Sequence, residues 1–408
     1  MSFRLVKVSG FYDGFLKNYY QANPDILCES YKKQYSHLMS QGFAWSDYLC
    51  AHLRSLGVDA SELISNAAPL NHAWAAENGI DPRKTDVILA RIKRLRPDVV
   101  FLQDTARFNT AWCERLRQEV PSIKALVGWR ASPFTRFDIE RFRAFDLILT
   151  CTPALVREFE ANGVKSALLY HGFEKSLVPL LSDETSEPKS SASDVVFAGS
   201  LIQARGYHYG RIKFLSELVE NDIPLRIHAE TASTGKLIAK RVLGQVATSL
   251  DQFGLGHALK SVPVFARALQ WRDVKVRDPL EQSLRACYDK PAYGLELYRL
   301  MHRSKICLNF HIDFAGDYAG NSRLFEATGA GTCLMTDRKR NLPELFEPDS
   351  EVVTFGSTAE CVEKVRWLLE NPIERKKIAK AGQERCLRDH SLQKRAIELH
   401  SIVSHCLS

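Results

Sequence analysis

The residues best able to do chemistry in this chain gather in one stretch, Leu308–Asp337, which reads LNFHIDFAGDYAGNSRLFEATGAGTCLMTD. An apolar run ends at Phe310. A polar loop follows it, with His311, Asp313, Gly316, Asp317 and Gly320. A helix is expected to open near Asn321, whose side chain can take an orphan amide as an N-cap. Free amides and the positive dipole end make such a turn an anion site, and Arg323 adds a formal charge. Glu326 stands three residues after Arg323, on a neighbouring part of the same face. A carboxylate one turn inside a phosphate-binding helix is placed to accept hydrogen bonds from ribose hydroxyls. Gly329 and Gly331 let the chain turn tightly into the next strand. Phosphate donor, sugar acceptor and tight turn together describe a pocket for a nucleoside diphosphate. Plainer readings stand beside this one: an Arg323–Glu326 helix ion pair, Asn321 as a cap only, and His311 as a satisfied core histidine.

Other stretches speak against other chemistries. The loop after the first strand, Ser9-Gly10-Phe11-Tyr12-Asp13-Gly14, has two glycines at the wrong spacing for the G-x-G-x-x-G dinucleotide fingerprint. No Walker A loop is present, so nicotinamide chemistry and P-loop hydrolysis are both disfavoured. Asp104, Trp129-Arg130 and His171-Gly172 follow apolar strands, where the carboxyl ends of a parallel sheet line a ligand crevice. Asp104 and His171 have the chemistry of a general base toward an acceptor hydroxyl. Each could equally be structural, as a loop cap and a packed histidine. Ten cysteines are scattered singly with no C-x-x-C and no metal-ligand spacing, which reads as reduced thiols in the cytoplasm.

The elements that must position these residues alternate between strand and helix. Strands are expected at 3–8, 98–103, 125–129, 146–150 and 167–170, with 58–64 a weaker candidate. Helices are expected at 31–39, 45–56, 85–95, 110–118, 137–142 and 153–162. Near-continuous apolar strands separated by helices imply a parallel sheet covered on both faces. The polar run SDETSEPKSSASD around 182–194 reads as a linker. The alternation then restarts, with strands at 195–198, 225–228, 306–310, 332–336 and 352–355. A tight turn is expected at Gly199-Ser200. Helices are expected at 209–221, 294–302, 322–329, 358–370, 373–389 and 392–403. The fold class is therefore α/β, two Rossmann-like doubly wound domains: 1–180, a linker at 181–194, and 195–390, with 391–408 as a further helix.

Length and composition agree with this. At roughly 150 residues per domain, 408 residues make two or three domains. Hydrophobic residues at 45% and charged residues at 25% exclude a disordered tail, a fibre or a coiled coil. No apolar run reaches the roughly 20 residues needed to span a bilayer, and MSFRLVKVSG lacks the apolar centre of a signal peptide. The net charge of +7 is concentrated: from Lys236 to Arg277 eight Lys and Arg face two Asp. In 236–250, Ile238, Val242, Leu243, Val246 and Leu250 share a helical face, while Lys236, Lys240, Arg241 and Gln245 point away. This helix is expected to pack on the sheet or to meet an anionic membrane or lipid-linked acceptor. The cluster Arg91, Lys93, Arg94, Arg96 is expected to be a solvated helix end.

The stretch PAYGLELYRLMHRSKICLNFHID…NSRLFEATGAGTCLMTD…NLPELFEPDSEVVTF…ERKKIAKAGQERCLRDH, from about Pro291 to His390, resembles the C-terminal half of CgeB-type glycosyltransferases, group-1 transferases of the GT-B superfamily. Asn321, Arg323, Glu326 and the Gly329/Gly331 pair stand at motif positions, and VVFAGS at Val195–Ser200 resembles the start of the donor domain. The resemblance implies two Rossmann-like domains facing a cleft, a front acceptor domain and a rear donor domain, with the last helix crossing back to the front one. It implies transfer of a sugar from a nucleoside-diphosphate sugar to a hydroxyl of a glycan, lipid-linked or small-molecule acceptor, without metal or other cofactor. Glu326 would hold the ribose, and Arg323, Arg211 or Arg205 the phosphates, near Gly199, Ser200, His311 and Asn321. Tyr318 stands eight residues before Glu326, where many related retaining transferases carry a second glutamate. The expected partners are donor and acceptor, with no nucleic acid, and peripheral contact with an anionic inner-membrane face through 236–277. A sugar-nucleotide epimerase and a non-catalytic binding or assembly protein on the same fold are the alternatives.

Overall fold

The computed structural model describes residues 3–182, 194–202, 208–231, 234–252, 268, 271, 282–312 and 316–408. Six parallel strands form the front sheet: β1 (Arg4–Ser9), β2 (Asp59–Ile64), β3 (Val99–Leu102), β4 (Ala125–Trp129), β5 (Leu147–Thr150) and β6 (Ser166–Leu168), in the order β2-β1-β3-β4-β5-β6. Six more form the rear sheet: β7 (Val195–Ser200), β8 (Leu225–Glu230), β9 (Tyr288–Asp289), β10 (Ile306–Asn309), β11 (Cys333–Asp337) and β12 (Val353–Phe355), in the order β12-β11-β10-β7-β8-β9. The central strands are buried along their whole length, which is why they read as unbroken apolar runs. Each sheet carries an apolar cluster on both faces.

Strand order reverses between β1 and β3 in front and between β7 and β10 behind. Such switch points are where the loops after two neighbouring strands diverge and leave a crevice. The helix Leu392–Leu407 returns to the front half, where Leu392, Ala396, Leu399 and Val403 share a core with Trp45, Leu49 and Leu53. The halves meet at close range. A methyl group on Gly320 would overlap the Cys151 carbonyl, and one on Gly329 would overlap the Phe173 ring.

Several expectations change. The weaker candidate at 58–64 is a full partner of β1, paired from Arg4↔Asp59 to Ser9↔Ile64. The turn expected at Gly199-Ser200 is strand, since both residues still pair with Ala229 and Glu230 of β8. Arg91 is no part of a solvated helix end. It is buried, donates to Asn71 Oδ1 at 3.0 Å and to the Tyr31 hydroxyl, and lies over the Trp74 ring. The helix Thr234–Gln252 does not pack most of its apolar face on the sheet: among its described side chains Gly244 and Ala247 are the buried positions, Leu250 is partly buried, and Ile238, Val242, Leu243 and Val246 are exposed. Two helices absent from the sequence reading, Asp13–Ala22 and Ala68–Glu77, pack beside the front sheet. Of the linker, 183–193 lies outside the described residues, as does most of 253–277.

Candidate functional site: the rear switch point and the loop that faces it

The rear switch point is held by two arginines. Arg211, on the helix Tyr209–Glu220, donates from Nη1 to the Ser200 carbonyl (3.0 Å) and from Nε and Nη2 to the Phe310 carbonyl (3.1 and 2.5 Å), and lies 5.5 Å from the Phe197 ring centre. It therefore ties the end of β7 to the end of β10. Arg323, in the first turn of the helix Ser322–Gly329, donates from Nε to the Ala198 carbonyl of β7 at 3.0 Å. Its Nη1 lies 2.8 Å from Glu326 Oε2. Ser322 Oγ donates to the same Oε2 at 3.2 Å. Glu326 is thus held through one oxygen, and Oε1 has no partner among the described residues.

Asn321 occupies the N-cap position, but its side chain does not bond the helix. The expected capping bond is replaced by a reciprocal pair with Asn309 at the end of β10: Asn321 Nδ2 donates to Asn309 Oδ1 (2.6 Å), and Asn309 Nδ2 donates to Asn321 Oδ1 (3.3 Å). Asn309 Nδ2 also reaches Thr336 Oγ1 at 3.0 Å. A buried amide on the strand end outcompetes the helix because its own donors must be satisfied. The first turn is left without a side-chain cap, which is the condition for an incoming anion to meet its amides.

His311 is buried one residue beyond Phe310. Its Nδ1 donates to Asp337 Oδ1 at 2.6 Å, and its backbone amide donates to the same oxygen at 3.0 Å. Burial alone would raise the Asp337 pKa. The His311 contacts, and then Lys339 Nζ at 3.2 Å, outweigh it and bring it down to about 2. Because that carboxylate is ionised, the Nδ1 proton is fixed. The other ring nitrogen, Nε2, is buried with no hydrogen-bond partner. Gly199 and Ser200 form the floor beside Arg211. Arg205 and Asp313 lie outside the described residues.

The front half contributes Tyr12, which the sequence reading passed over. It sits in the loop between β1 and the helix Asp13–Ala22, with its ring edge-on to Phe43 (5.3 Å) and Tyr293 (6.4 Å). Its phenol pKa is raised, first by the crowding of the crevice walls and then by the charges of Glu230 and Glu326, against Arg323. The ring is still 59% exposed. Protein surrounds it on several sides while water still reaches it, as in an open crevice. Tyr293 Oη donates to Glu230 Oε1 at 2.7 Å and packs against Gly14, so this loop is clamped to the end of β8. The signal for it was an aromatic pair, Phe11-Tyr12, between Gly10 and Gly14 directly after the first strand.

Asp104 and His171 are not brought together. Asp104 accepts from the Ala106 amide (3.1 Å) and pairs with Arg107 Nε (2.9 Å), and Arg107 Nη2 lies 3.8 Å from Asp13. His171 follows β6, three strands across the sheet, or about 14 Å at about 4.8 Å per strand. Its ring lies edge-on between Trp45 (5.5 Å) and Trp129 (5.3 Å). Burial, aided by Arg395, lowers its pKa to about 4. Tyr318 points to the front half, where Arg157 donates to its hydroxyl and stacks on its ring at 4.9 Å. Among the described residues no cluster of three or more His, Cys, Asp or Glu side chains could hold a metal ion. All ten cysteines are free thiols, most of them buried.

Two doubly wound parallel sheets, with a switch-point crevice at the carboxyl ends of the rear one, define the GT-B fold. Residues 238–401, less than half of the chain, match the family described as glycosyl transferase-like. A search of curated proteins gives no match. Among solved structures, HepE from Anabaena in complex with UDP-glucose aligns at a TM-score of 0.56, with 10% identity over 99% of this chain and 100% of that one. A glycosyltransferase from Rickettsia africae aligns at 0.53, with 10% identity over 100% and 99%. Sucrose-phosphate synthase from Thermosynechococcus elongatus aligns at 0.52, with 11% identity over 98% of both chains. At these identities the likeness is one of fold.

Proposed function

We propose that the protein is a glycosyltransferase of CgeB type that takes its sugar from a nucleoside-diphosphate donor held at the rear switch point. The observation that carries this reading is Glu326, fixed through Oε2 by Arg323 and Ser322 with Oε1 left over. A carboxylate oxygen held in place and still able to accept two hydrogen bonds suits a pair of vicinal ribose hydroxyls. The uncapped first turn of Ser322–Gly329 supplies donors for the diphosphate, so charge building on the leaving group meets the helix dipole and backbone N–H groups. In this reading the donor is bound without a metal ion. Tyr12 would face the sugar from the opposite wall.

In the reaction the bond between the anomeric carbon and the diphosphate oxygen breaks, and one to the acceptor oxygen forms. The acceptor proton passes to a base. In this reading Asp104 is the front-half candidate, since it follows β3 at the front switch point, whereas His171 is packed between Trp45 and Trp129 three strands away. HepE holds UDP-glucose, so uridine nucleotides are the first to test. A thermal-shift screen of nucleoside diphosphates and their sugars should raise the melting temperature for one base above the rest. Incubation of that donor with an acceptor mixture should then release the free nucleoside diphosphate.

One observation favours a second reading, a non-catalytic binding protein: Tyr318 replaces a sugar-side carboxylate and is turned away to Arg157. Donor binding without release of nucleoside diphosphate under any acceptor would select that reading.

A further inference from the structure

We infer that the helix Thr234–Gln252 docks the protein on an anionic lipid surface. The argument starts from which way this helix faces. At about 100° per residue, Ile238, Val242, Val246, Ala239 and Leu243 fall within an arc of about 140°. Five large apolar side chains lie in that arc: Ile238, Val242, Val246 and Leu243 are each about half exposed, at 49, 51, 51 and 49%, and Leu250 near the helix end is partly covered. Among the described side chains of the helix, the buried ones, Gly244 and Ala247, are small and lie away from that arc. The helix is therefore mounted with its apolar stripe outward. An ordinary surface helix does the reverse.

Charge identifies the occupant. Arg241 flanks one edge of the stripe and Lys240 the other, and both are exposed. Lys240 Nζ lies 5.7 Å from the Trp271 ring, which joins a cation to an aromatic at the stripe's border, the pairing favoured where headgroups meet acyl chains. The helix holds a single acidic residue, Asp251, near its end. Lys236–Arg277 as a whole carries eight basic residues against two acidic ones, nearly all of the chain's excess charge. A second copy of this chain would bring the same positive charge against it, whereas an anionic bilayer complements both stripe and flanks. Among the described residues no helix is long and apolar enough to cross a membrane, so the contact is peripheral. The helix starts four residues after Glu230, the residue that Tyr293 clamps at the crevice. Docking would bring the rim of the crevice to the membrane plane.

The test is flotation of the full chain with vesicles of phosphatidylglycerol and phosphatidylcholine in equal parts, and of phosphatidylcholine alone, at low and high salt. The protein should float with the anionic vesicles only, and less at high salt. Val242→Glu with Val246→Glu should abolish flotation. Arg241→Glu should weaken it by roughly tenfold or more, since each basic residue near such a surface contributes about a fivefold factor. Both variants should keep the wild-type melting temperature and nucleotide affinity, which separates this result from the fate of the donor site. Absence of flotation, equal flotation with neutral vesicles, or flotation unchanged in both variants would overturn the proposal. So would a dimer in sedimentation that Val242→Glu with Val246→Glu takes apart.

Discussion

Arg323 Nη1 and Glu326 Oε2 lie 2.8 Å apart within one helical turn, and both side chains are largely shut off from water. Arg323 also grips the Ala198 carbonyl of β7, so the carboxylate is positioned by a strand as well as by its own helix. In the proposed donor site Arg323 would then act on a bound nucleotide chiefly through Glu326. Arg323→Ala should weaken nucleotide binding by about tenfold, the scale of one charged hydrogen bond. The double variant with Glu326→Ala should be no weaker than Glu326→Ala alone, because the two residues act as one unit. Calorimetry on the three variants checks this; independent, additive losses would show that Arg323 contacts the ligand by itself.

Acid should destabilise the fold well above the carboxylate range. Burial lowers the pKa of His171, and likewise that of His390, from 6.5 to about 4. His390 is neutral in the fold by its bonding as well: Arg395 Nη2 donates to Nδ1, and Nε2 donates to the Leu345 carbonyl. A histidine with a depressed folded pKa binds its proton more readily when unfolded. Stability is therefore flat above about pH 6.5, falls as the pH drops toward 4, and levels for these groups below that. Each histidine contributes about 2 kcal/mol of loss between pH 6.5 and 5 at most. Denaturant titrations at pH 7, 6 and 5 should show the decline; equal stability at all three would refute it.

The junction between the halves should not tolerate a methyl group. In Gly329→Ala the new carbon would overlap the Phe173 ring, which is buried and also packs edge-on to Tyr298. The cost should be about 1–3 kcal/mol, as for other overpacked interiors. Thermal unfolding would register it, and a melting temperature equal to the wild type would mean that the halves separate or shift there freely.

Most of the fold could be read from the sequence because its strands are continuous apolar runs and several of its helices are capped. Thr358–Glu370 and Leu392–Leu407 open where the Ser357 and Ser391 side chains cap them. Ala68–Glu77 escaped because its alanines and small residues give no one-sided period, and Asp13–Ala22 because glycine and tyrosines mask one. At the site, Arg323 and Glu326 were readable because three residues on a helix fix their proximity. Asp337 beside His311, Glu230 beside Tyr293 and Asn309 beside Asn321 were not, since sequence separations of 26, 63 and 12 become contacts only when strand ends assemble. Periodicity announced an apolar face on 238–250. It could not say that Gly244 and Ala247 would be the side that packs.

The account rests on Glu326 gripping a nucleotide through its pentose, and isothermal calorimetry on the Glu326→Ala protein tests that most directly. The titrant is the nucleoside diphosphate that stabilises the wild-type chain most. Affinity should fall by at least about tenfold, the loss of one or two hydrogen bonds to a charged acceptor, while the melting temperature without ligand stays unchanged. Equal affinity in a folded variant would place the nucleotide elsewhere and contradict the donor site described above.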